Sequence, residues 1–172
     1  MVFSPSGAVL AASAQQIHTQ AHQVHAAPLL PNVTCSGNGC TGLDPSATGC
    51  SASASTLLSK GIFNGSGQQI GTINLRFSSV CQTNWAQLLS SIGTVQMNTH
   101  VERASGADGP FVEECEPTPC KNTLPLNTVG ATGVFTDMVW ARDVPAEAAG
   151  VIVIGSSDFS GCVTQSQSAL PC

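Results

Sequence analysis

Eight cysteines constrain this chain more than any other feature of its sequence. An even number of cysteines in 172 residues is typical of a disulfide framework, which persists only in an oxidising compartment. A zinc knuckle would need C-x2-C pairs or histidine partners, and no histidine lies between Cys35 and Cys81. We therefore expect a secreted protein in which disulfides form at Cys35, Cys40, Cys50, Cys81, Cys115, Cys120, Cys162 and Cys172.

The spacing of the cysteines favours some pairings over others. Cys50 and Cys81 bracket a predicted β-hairpin, and a bridge between them would close a loop that removes about 3–4 kcal/mol of unfolded-state entropy. The simplest local partners for the others are Cys35–Cys40, Cys115–Cys120 and Cys162–Cys172. Because eight cysteines allow about 105 pairings, spacing alone leaves the connectivity open.

Charged residues are scarce, which excludes several classes of partner. They make up 9% of the chain, against about 25% in ordinary domains. The formal net charge is −5 and the five basic residues are scattered, so nucleic acid is not expected as a partner. No segment has the 18 or more apolar residues of a transmembrane helix. The opening MVFSPSGAVLAASA has the apolar run of a signal peptide without its positive start.

Residues 1–34 form an N-terminal arm that has no acidic residue, lysine, arginine or cysteine. Its pattern fits either one helix or an extended polar arm. Three histidines would share one face of such a helix and are suitable zinc or copper ligands. No carboxylate is near them to orient their rings, so we interpret the segment as solvated or packed at an interface, without a metal. These histidines are His18, His22 and His25.

The rest of the chain, residues 35–172, is predicted to be one all-β domain. Short segments of alternating or continuous apolar residues are separated by turn-forming clusters such as NGSG. The predicted strands are 55–63, 68–77, 94–103, 133–141, 150–156 and 159–165, while 84–92 fits either a helix or a strand. The continuous run GVIVIGS suggests a strand covered on both faces. This pattern predicts a small disulfide-stapled barrel or sandwich that carries the arm.

The stretch CSGNGCTGLDPSATGC, residues 35–50, resembles a family of unknown function that is common in actinomycetes. Further matches are LRFS (75–78) before Cys81, NWA (84–86), FTDMV (135–139) and GCV (161–163). The resemblance covers residues 35–172 and implies a β-rich domain that is secreted or displayed outside the cell. It implies no reaction. The segment ECEPTPC (114–120) departs from the family pattern and resembles an added stapled loop.

Three residues are candidates for a ligand site or a structured loop: Asp44, Trp85 and Trp140. An aspartate before proline in a glycine-rich turn usually accepts hydrogen bonds from nearby backbone N–H groups, so a structural role for Asp44 is favoured over a catalytic one. The two tryptophans are able to stack on sugars, but isolated tryptophans more often pack in a core.

Other candidate chemistry is weaker. His100 lies on a predicted strand, opposite in phase to the apolar face that includes Val101, and no G-x-S-x-G elbow is present. Three glutamates beside Cys115 offer oxygen ligands for calcium, although their spacing matches no EF-hand and a solvated acidic loop is favoured. These are Glu113, Glu114 and Glu116. We therefore predict no enzyme, no cofactor and no metal site.

The combined features favour a secreted structural or interaction protein. Its arm would add a strand to, or pack against, a neighbouring copy, and head-to-tail contacts of that kind build filaments when the rotation does not close. The alternatives are an extracellular module that binds cell-wall glycan or a protein, including an inhibitor, and a secreted hydrolase.

Overall fold

The computed structural model describes residues 32–106, 109–114, 132–141 and 144–166, with the backbone alone for 105, 106 and 109–114. These residues form two four-stranded antiparallel sheets, which confirms the predicted all-β fold. The strands are β1 (Ala54–Phe63), β2 (Gln69–Ser78), β3 (Thr83–Ser90), β4 (Gln96–Gly106), β5 (Gly109–Glu114), β6 (Gly133–Phe135), β7 (Ala146–Ile154) and β8 (Ser157–Thr164). Two short 3₁₀ turns, Gly37–Cys40 and Cys50–Ser53, precede β1. Residues 1–31, which make up most of the N-terminal arm, and residues 115–131 lie outside the described residues.

The first sheet has the strand order β1-β2-β3-β6. Its β1–β2 hairpin turns at NGSG, where the Asn64 side-chain oxygen accepts hydrogen bonds from the backbone N–H groups of Ser66 and Gln68. A bulge in β1 leaves Leu57 without a partner between the pairs Thr56–Arg76 and Leu58–Leu75. Strand β3 occupies Thr83–Ser90. Segment 84–92, which fits either a helix or a strand by sequence, therefore lies mostly in a strand.

The second sheet has the order β5-β4-β7-β8, and every pairing in it is antiparallel. In β4, Met97, Thr99 and Val101 are buried on one face, which is the face that their alternation predicts. The prediction that 150–156 is covered on both faces is wrong. Ile152 is fully buried, but Val151 and Val153 are only half-buried, because this sheet is an outer layer of a two-layer fold.

The hydrophobic core lies between the two sheets, so the fold is a sandwich. Both sheets contribute inward residues in alternation, and glycines permit the close approach of the layers. A Cβ on Gly71 would lie 2.3 Å from the Ile152 Cδ1 atom of the opposite sheet. The core residues are Ile62, Ile70, Ile73, Leu75, Ala86, Leu88, Met97, Val101, Val134, Val139, Ala146, Ala148, Ile152 and Val163.

The segment 133–141 is less strand-like than its composition predicts. Only Gly133–Phe135 forms a strand, and Val139 adds an isolated bridge to Asn84. The chain leaves the sheet between them because Met138 exchanges backbone hydrogen bonds with the cysteine-rich loop instead of with β3.

Candidate functional site

Two disulfides meet on the outer face of the first sheet, beside Trp85 of β3. They are Cys35–Cys40 and Cys50–Cys81, the pairings that the spacing favoured. The Cys35 and Cys50 Sγ atoms, which belong to different disulfides, are 3.8 Å apart. All four sulfurs lie within 4.8 Å of one another, and we refer to Cys35, Cys40, Cys50 and Cys81 as the sulfur cluster. Except for Cys35, these residues are fully buried.

Asp44 shapes the loop that joins Cys40 to Cys50. Its Oδ1 atom accepts hydrogen bonds from the backbone N–H groups of Ser46 at 2.6 Å and Ala47 at 3.1 Å. Its carbonyl oxygen accepts a further hydrogen bond from the Thr48 hydroxyl at 2.8 Å. Asp44 is 6% exposed. Because its side chain accepts hydrogen bonds from backbone N–H groups two and three residues further along the chain, its described contacts are those of a turn-forming residue.

The loop is also fastened to distant parts of the chain by backbone hydrogen bonds. The Gly42 N–H donates to the Met138 carbonyl and the Met138 N–H donates to the Leu43 carbonyl. The Gly37 N–H donates to the Cys81 carbonyl at 2.8 Å. Gly37, Gly42 and Gly49 all have a left-handed φ, and a Cβ on Gly49 would lie 2.8 Å from the Asn32 carbonyl oxygen. The position of the sulfurs therefore depends on the loop backbone as well as on the disulfides.

The two tryptophans occupy different environments. Trp85 is 3% exposed and packs with Met138 and the sulfur cluster, so its ring offers no open face for a sugar. Trp140 is half-buried beside Gly37, and its backbone N–H donates to the Thr41 hydroxyl. Neither indole lines either of the two clefts described below.

An apolar cleft of about 500 Å³ opens at one end of the sandwich. The unpaired bulge residue Leu57 stands at its rim and is 40% exposed. The described lining residues carry no charge; they are Leu57, Phe77, Asn84, Ala141, Val144, Pro145 and Gln165. This volume falls within the range of pockets that accept a small molecule or a few side chains.

A polar cleft of about 440 Å³ lies on the outer face of the second sheet. His100 of β4 and Glu147 of β7 line it together with Lys60, which β1 contributes from the first sheet. Glu147 is only 7% exposed, and this burial raises the pKa of its carboxyl group, helped by the charge of Glu102 and opposed by His100. Glu102 is the direct cross-strand neighbour of Glu147.

His100 is half-buried on that outer face, opposite to the core face as its phase predicts. Ser160 lines the same cleft, but strand β7 separates its strand from that of His100. Among the described residues, no hydrogen bond joins His100 to a serine hydroxyl. The cleft therefore brings together the Glu147 carboxyl group, the His100 imidazole and the Lys60 amine. None of the described serine hydroxyls is hydrogen-bonded to the imidazole.

The remaining predicted residues are only partly described. Cys162 is disulfide-bonded, and no cysteine of the described ranges is free. Glu113 and Glu114 belong to β5, for which the backbone alone is described. The following lie outside the described residues: Cys115, Cys120, Cys172, Glu116, His18, His22 and His25.

Sequence reasoning missed Leu57, Lys60 and Glu147. The one available signal was for Glu147, since an acid between alanines in AEAAGVIVI interrupts an otherwise apolar strand. A bulge in β1 brings Leu57 to the apolar cleft, and the approach of β1 to the second sheet brings Lys60 to the polar cleft. Neither feature changes the local periodicity of apolar residues in the sequence. Within the described ranges, no helix has the length and apolar character needed to cross a bilayer.

Comparison with known proteins gives a family but no activity. Uncharacterized protein YjfA of Bacillus subtilis (strain 168) is 35% identical over 69 residues, which are 40% of this chain and 44% of that relative. The chain thus matches less than half of the relative's length. No solved structure matches the chain significantly. A family model described as Protein of unknown function (DUF2690) matches residues 38–149, which include Cys40, Cys50 and Cys81, most of the cysteine loop and strands β1 to β6. The chain therefore belongs to the family of unknown function DUF2690.

Proposed function

We propose that the protein is a secreted, non-enzymatic structural subunit that self-associates through its N-terminal arm. Its oxidised sulfurs support export, because disulfides persist mainly in oxidising compartments. The resemblance of residues 35–50 to a secreted actinomycete family supports the same compartment. The paired disulfides would keep the domain folded where no cellular reductant or chaperone protects it.

The observation that carries the proposal is the exposed edge of the first sheet. Among the described residues, strand β1 has a ladder partner on one side only, β2, and six of its ten residues are exposed. Its other edge therefore offers backbone N–H and C=O groups to an added strand. The contact with β8 occurs near Ile62, where Gly161 approaches it, and leaves the beginning of the strand accessible. The apolar cleft begins beside that part of the strand, at Leu57.

The arm has the chemistry that this edge accepts. Residues 1–34 contain no aspartate, glutamate, lysine or arginine, and the described lining of the cleft is also uncharged. Burial of the arm would therefore leave no ion unpaired. An extended segment of 31 residues reaches about 100 Å at roughly 3.3 Å per residue, enough to cross to a neighbouring copy. Donation from each copy to the next would produce a filament.

Removal of the arm and damage to the cleft test this proposal. We expect deletion of residues 1–31 and the substitution Leu57→Lys each to convert polymers into monomers in sedimentation velocity and electron microscopy. Ile92→Lys is the matched control, because Ile92 is 39% exposed and lies outside the cleft. A monomeric parent, or polymers that survive both changes, would contradict the proposal. A folded-back arm would leave the parent monomeric and protect the cleft from labelling.

The polar cleft favours a second candidate function, the binding of a hydroxyl-rich ligand such as a wall oligosaccharide. The Glu147 carboxyl group accepts hydrogen bonds and, in its protonated form, also donates one, and Asn98, Ser160 and Lys60 add polar groups to the same cleft. Titration of soluble wall oligosaccharides by NMR checks this candidate. Shifts confined to β4, β7 and β8 support it, and an unchanged spectrum at millimolar ligand rejects it.

A further inference from the structure

We propose that the sulfur cluster is a latent zinc site: when its two disulfides are reduced, Cys35, Cys40, Cys50 and Cys81 bind one Zn²⁺ as four thiolates. This state goes beyond the proposed extracellular function, since it belongs to the reduced chain. The observation is that two disulfides which close different loops place all four Sγ atoms within 4.8 Å of one another. Two disulfides can stabilise neighbouring loops without their sulfur atoms lying this close together.

The distances fit the metal. A tetrahedral zinc site has Zn–S bonds of about 2.3 Å, and its sulfur atoms therefore stand about 3.8 Å apart. The Cys35 and Cys50 sulfurs, which are not bonded to each other, are already separated by 3.8 Å. Within each disulfide, the sulfurs need only part to that distance when the bond is broken. Four thiolates with one zinc ion are the common composition of structural sites.

The loop backbone would hold the four thiols in place after reduction. The Asp44 side chain accepts hydrogen bonds that close the turn between Cys40 and Cys50, and the Gly37 N–H donates a hydrogen bond to the Cys81 carbonyl oxygen. The Cys81 N–H in turn donates to the Ser78 hydroxyl at 3.0 Å, so the fourth ligand is fixed at the end of β2. None of these hydrogen bonds requires an S–S bond. Preorganisation of this kind lowers the entropic cost of assembling a four-ligand site.

The chemistry requires an external reductant, and a phosphine or a cellular dithiol supplies it. Each disulfide takes up two electrons and two protons and gives two thiols, while one phosphine becomes a phosphine oxide with oxygen from water, or one dithiol becomes a disulfide. Zinc then displaces four protons from four thiols. An ordinary free cysteine has a pKa of about 8.5, so zinc binding to cysteine at neutral pH generally releases protons. An external disulfide reoxidises the site: for each protein S–S bond that reforms, the external disulfide takes up two electrons and two protons and leaves as two thiols, and the metal is released.

The class of ligand follows from the donor set. Four thiolates in a mostly buried cluster select a soft or borderline divalent cation of tetrahedral preference, and among the first-row metals zinc fits this description without being redox-active. Magnesium and calcium prefer oxygen donors and are excluded. Zinc would close the loop before the sulfurs are oxidised, so that the same backbone is held in either redox state.

Metal titration of the reduced full-length chain tests the proposal. The protein is reduced anaerobically with a phosphine, freed of it, and titrated with Co²⁺ as a spectroscopic substitute for Zn²⁺. We expect one Co²⁺ per chain, with thiolate charge-transfer and tetrahedral absorption bands, and displacement of the cobalt by Zn²⁺. We also expect the release of about four protons per zinc in weakly buffered solution at pH 7.

Two variants separate the cluster from other thiols. Cys35→Ser removes one ligand and should shift the cobalt spectrum and lower the proton release by about one. Cys162→Ser lies outside the cluster and should leave both readouts unchanged. Absence of stoichiometric tetrahedral cobalt in the reduced parent would overturn the proposal, whether or not the reduced chain stays folded. A spectrum that is insensitive to Cys35→Ser would overturn it as well.

Discussion

At the scale of single residues, Asp44 shows how the cysteine loop is built. Its carboxylate accepts hydrogen bonds from two backbone N–H groups, and the residue is almost completely buried. We predict that Asp44→Ala lowers the free energy of unfolding by about 1–2 kcal/mol, because both donors lose their acceptor. Asp44→Asn keeps an acceptor oxygen and should cost less. Urea denaturation of the oxidised protein measures both, and equal stability of Asp44→Ala and the parent would contradict a structural role.

Glu147 is expected to make the stability of the second sheet depend on pH. Burial, and then the charge of Glu102, raise the pKa of its carboxyl group in the folded state. The folded state therefore holds this proton more tightly than the unfolded state, in which the pKa of the carboxyl group stays near its ordinary value of 4.5. The stability that this group contributes is fully present below pH 4.5 and is lost as the pH rises through the higher folded pKa.

The variant Glu147→Gln isolates this effect, because it mimics the neutral acid at every pH. We expect the variant to be more stable than the parent at pH 7–8, and this advantage to shrink as the pH falls towards 4.5. Stability curves of the two proteins at several pH values provide the comparison. A difference that is independent of pH, or that grows on acidification, would show that Glu147 is not shifted in this direction.

At the scale of the elements, close packing of the two sheets depends on positions without side chains. A Cβ at Gly71 would lie 2.3 Å from Ile152 Cδ1 and 2.6 Å from the Leu89 carbonyl oxygen, and the backbone atom cannot yield. We predict that Gly71→Ala lowers the free energy of unfolding by about 1–3 kcal/mol. Gly65→Ala, in the hairpin turn with open space around it, is the control and should change stability by less than about 0.5 kcal/mol. Equal effects in thermal unfolding would contradict the packing account.

Some of the strands could be predicted from the sequence and others could not. Strands β1, β2, β4 and β8 were predictable because their apolar residues alternate with a period of two, or are bounded by NGSG and similar turns. Strand β3 stayed ambiguous because NWAQLLSSI fits either period. The composition of segment 133–141 predicts a strand over its whole length, but the Met138 backbone exchanges hydrogen bonds with Gly42 and Leu43 of the cysteine loop, a contact that no local pattern reveals.

At the scale of the whole molecule, the candidate sites were harder to predict than the fold. The pairings Cys35–Cys40 and Cys50–Cys81 follow from spacing and from the hairpin between Cys50 and Cys81. Their contact does not, because it depends on how the loop folds back over Trp85. The two clefts combine residues from three or more separate segments, so their geometry exists only in the assembled sandwich.

The two disulfides should differ in their contribution to global stability. Cys50–Cys81 spans 31 residues and Cys35–Cys40 spans 5. In the chain-closure model the longer loop contributes about 4 kcal/mol and the shorter one about 2 kcal/mol. We therefore predict a larger loss of unfolding free energy for the double variant Cys50→Ala with Cys81→Ala than for Cys35→Ala with Cys40→Ala. Chemical denaturation provides the values, and a reversed order would contradict the model.

We propose that oxidised sulfur pairs hold this β sandwich together outside the cell. Fractionation of the native host, followed by alkylation of denatured but unreduced protein and peptide mass spectrometry, tests it most directly. We predict that the protein is found in the medium or at the cell exterior, without metal, with Cys35–Cys40 and Cys50–Cys81 linked and none of the four alkylated. Recovery from the cytoplasm with alkylated thiols at these positions, or with a stoichiometric transition metal, would contradict the account.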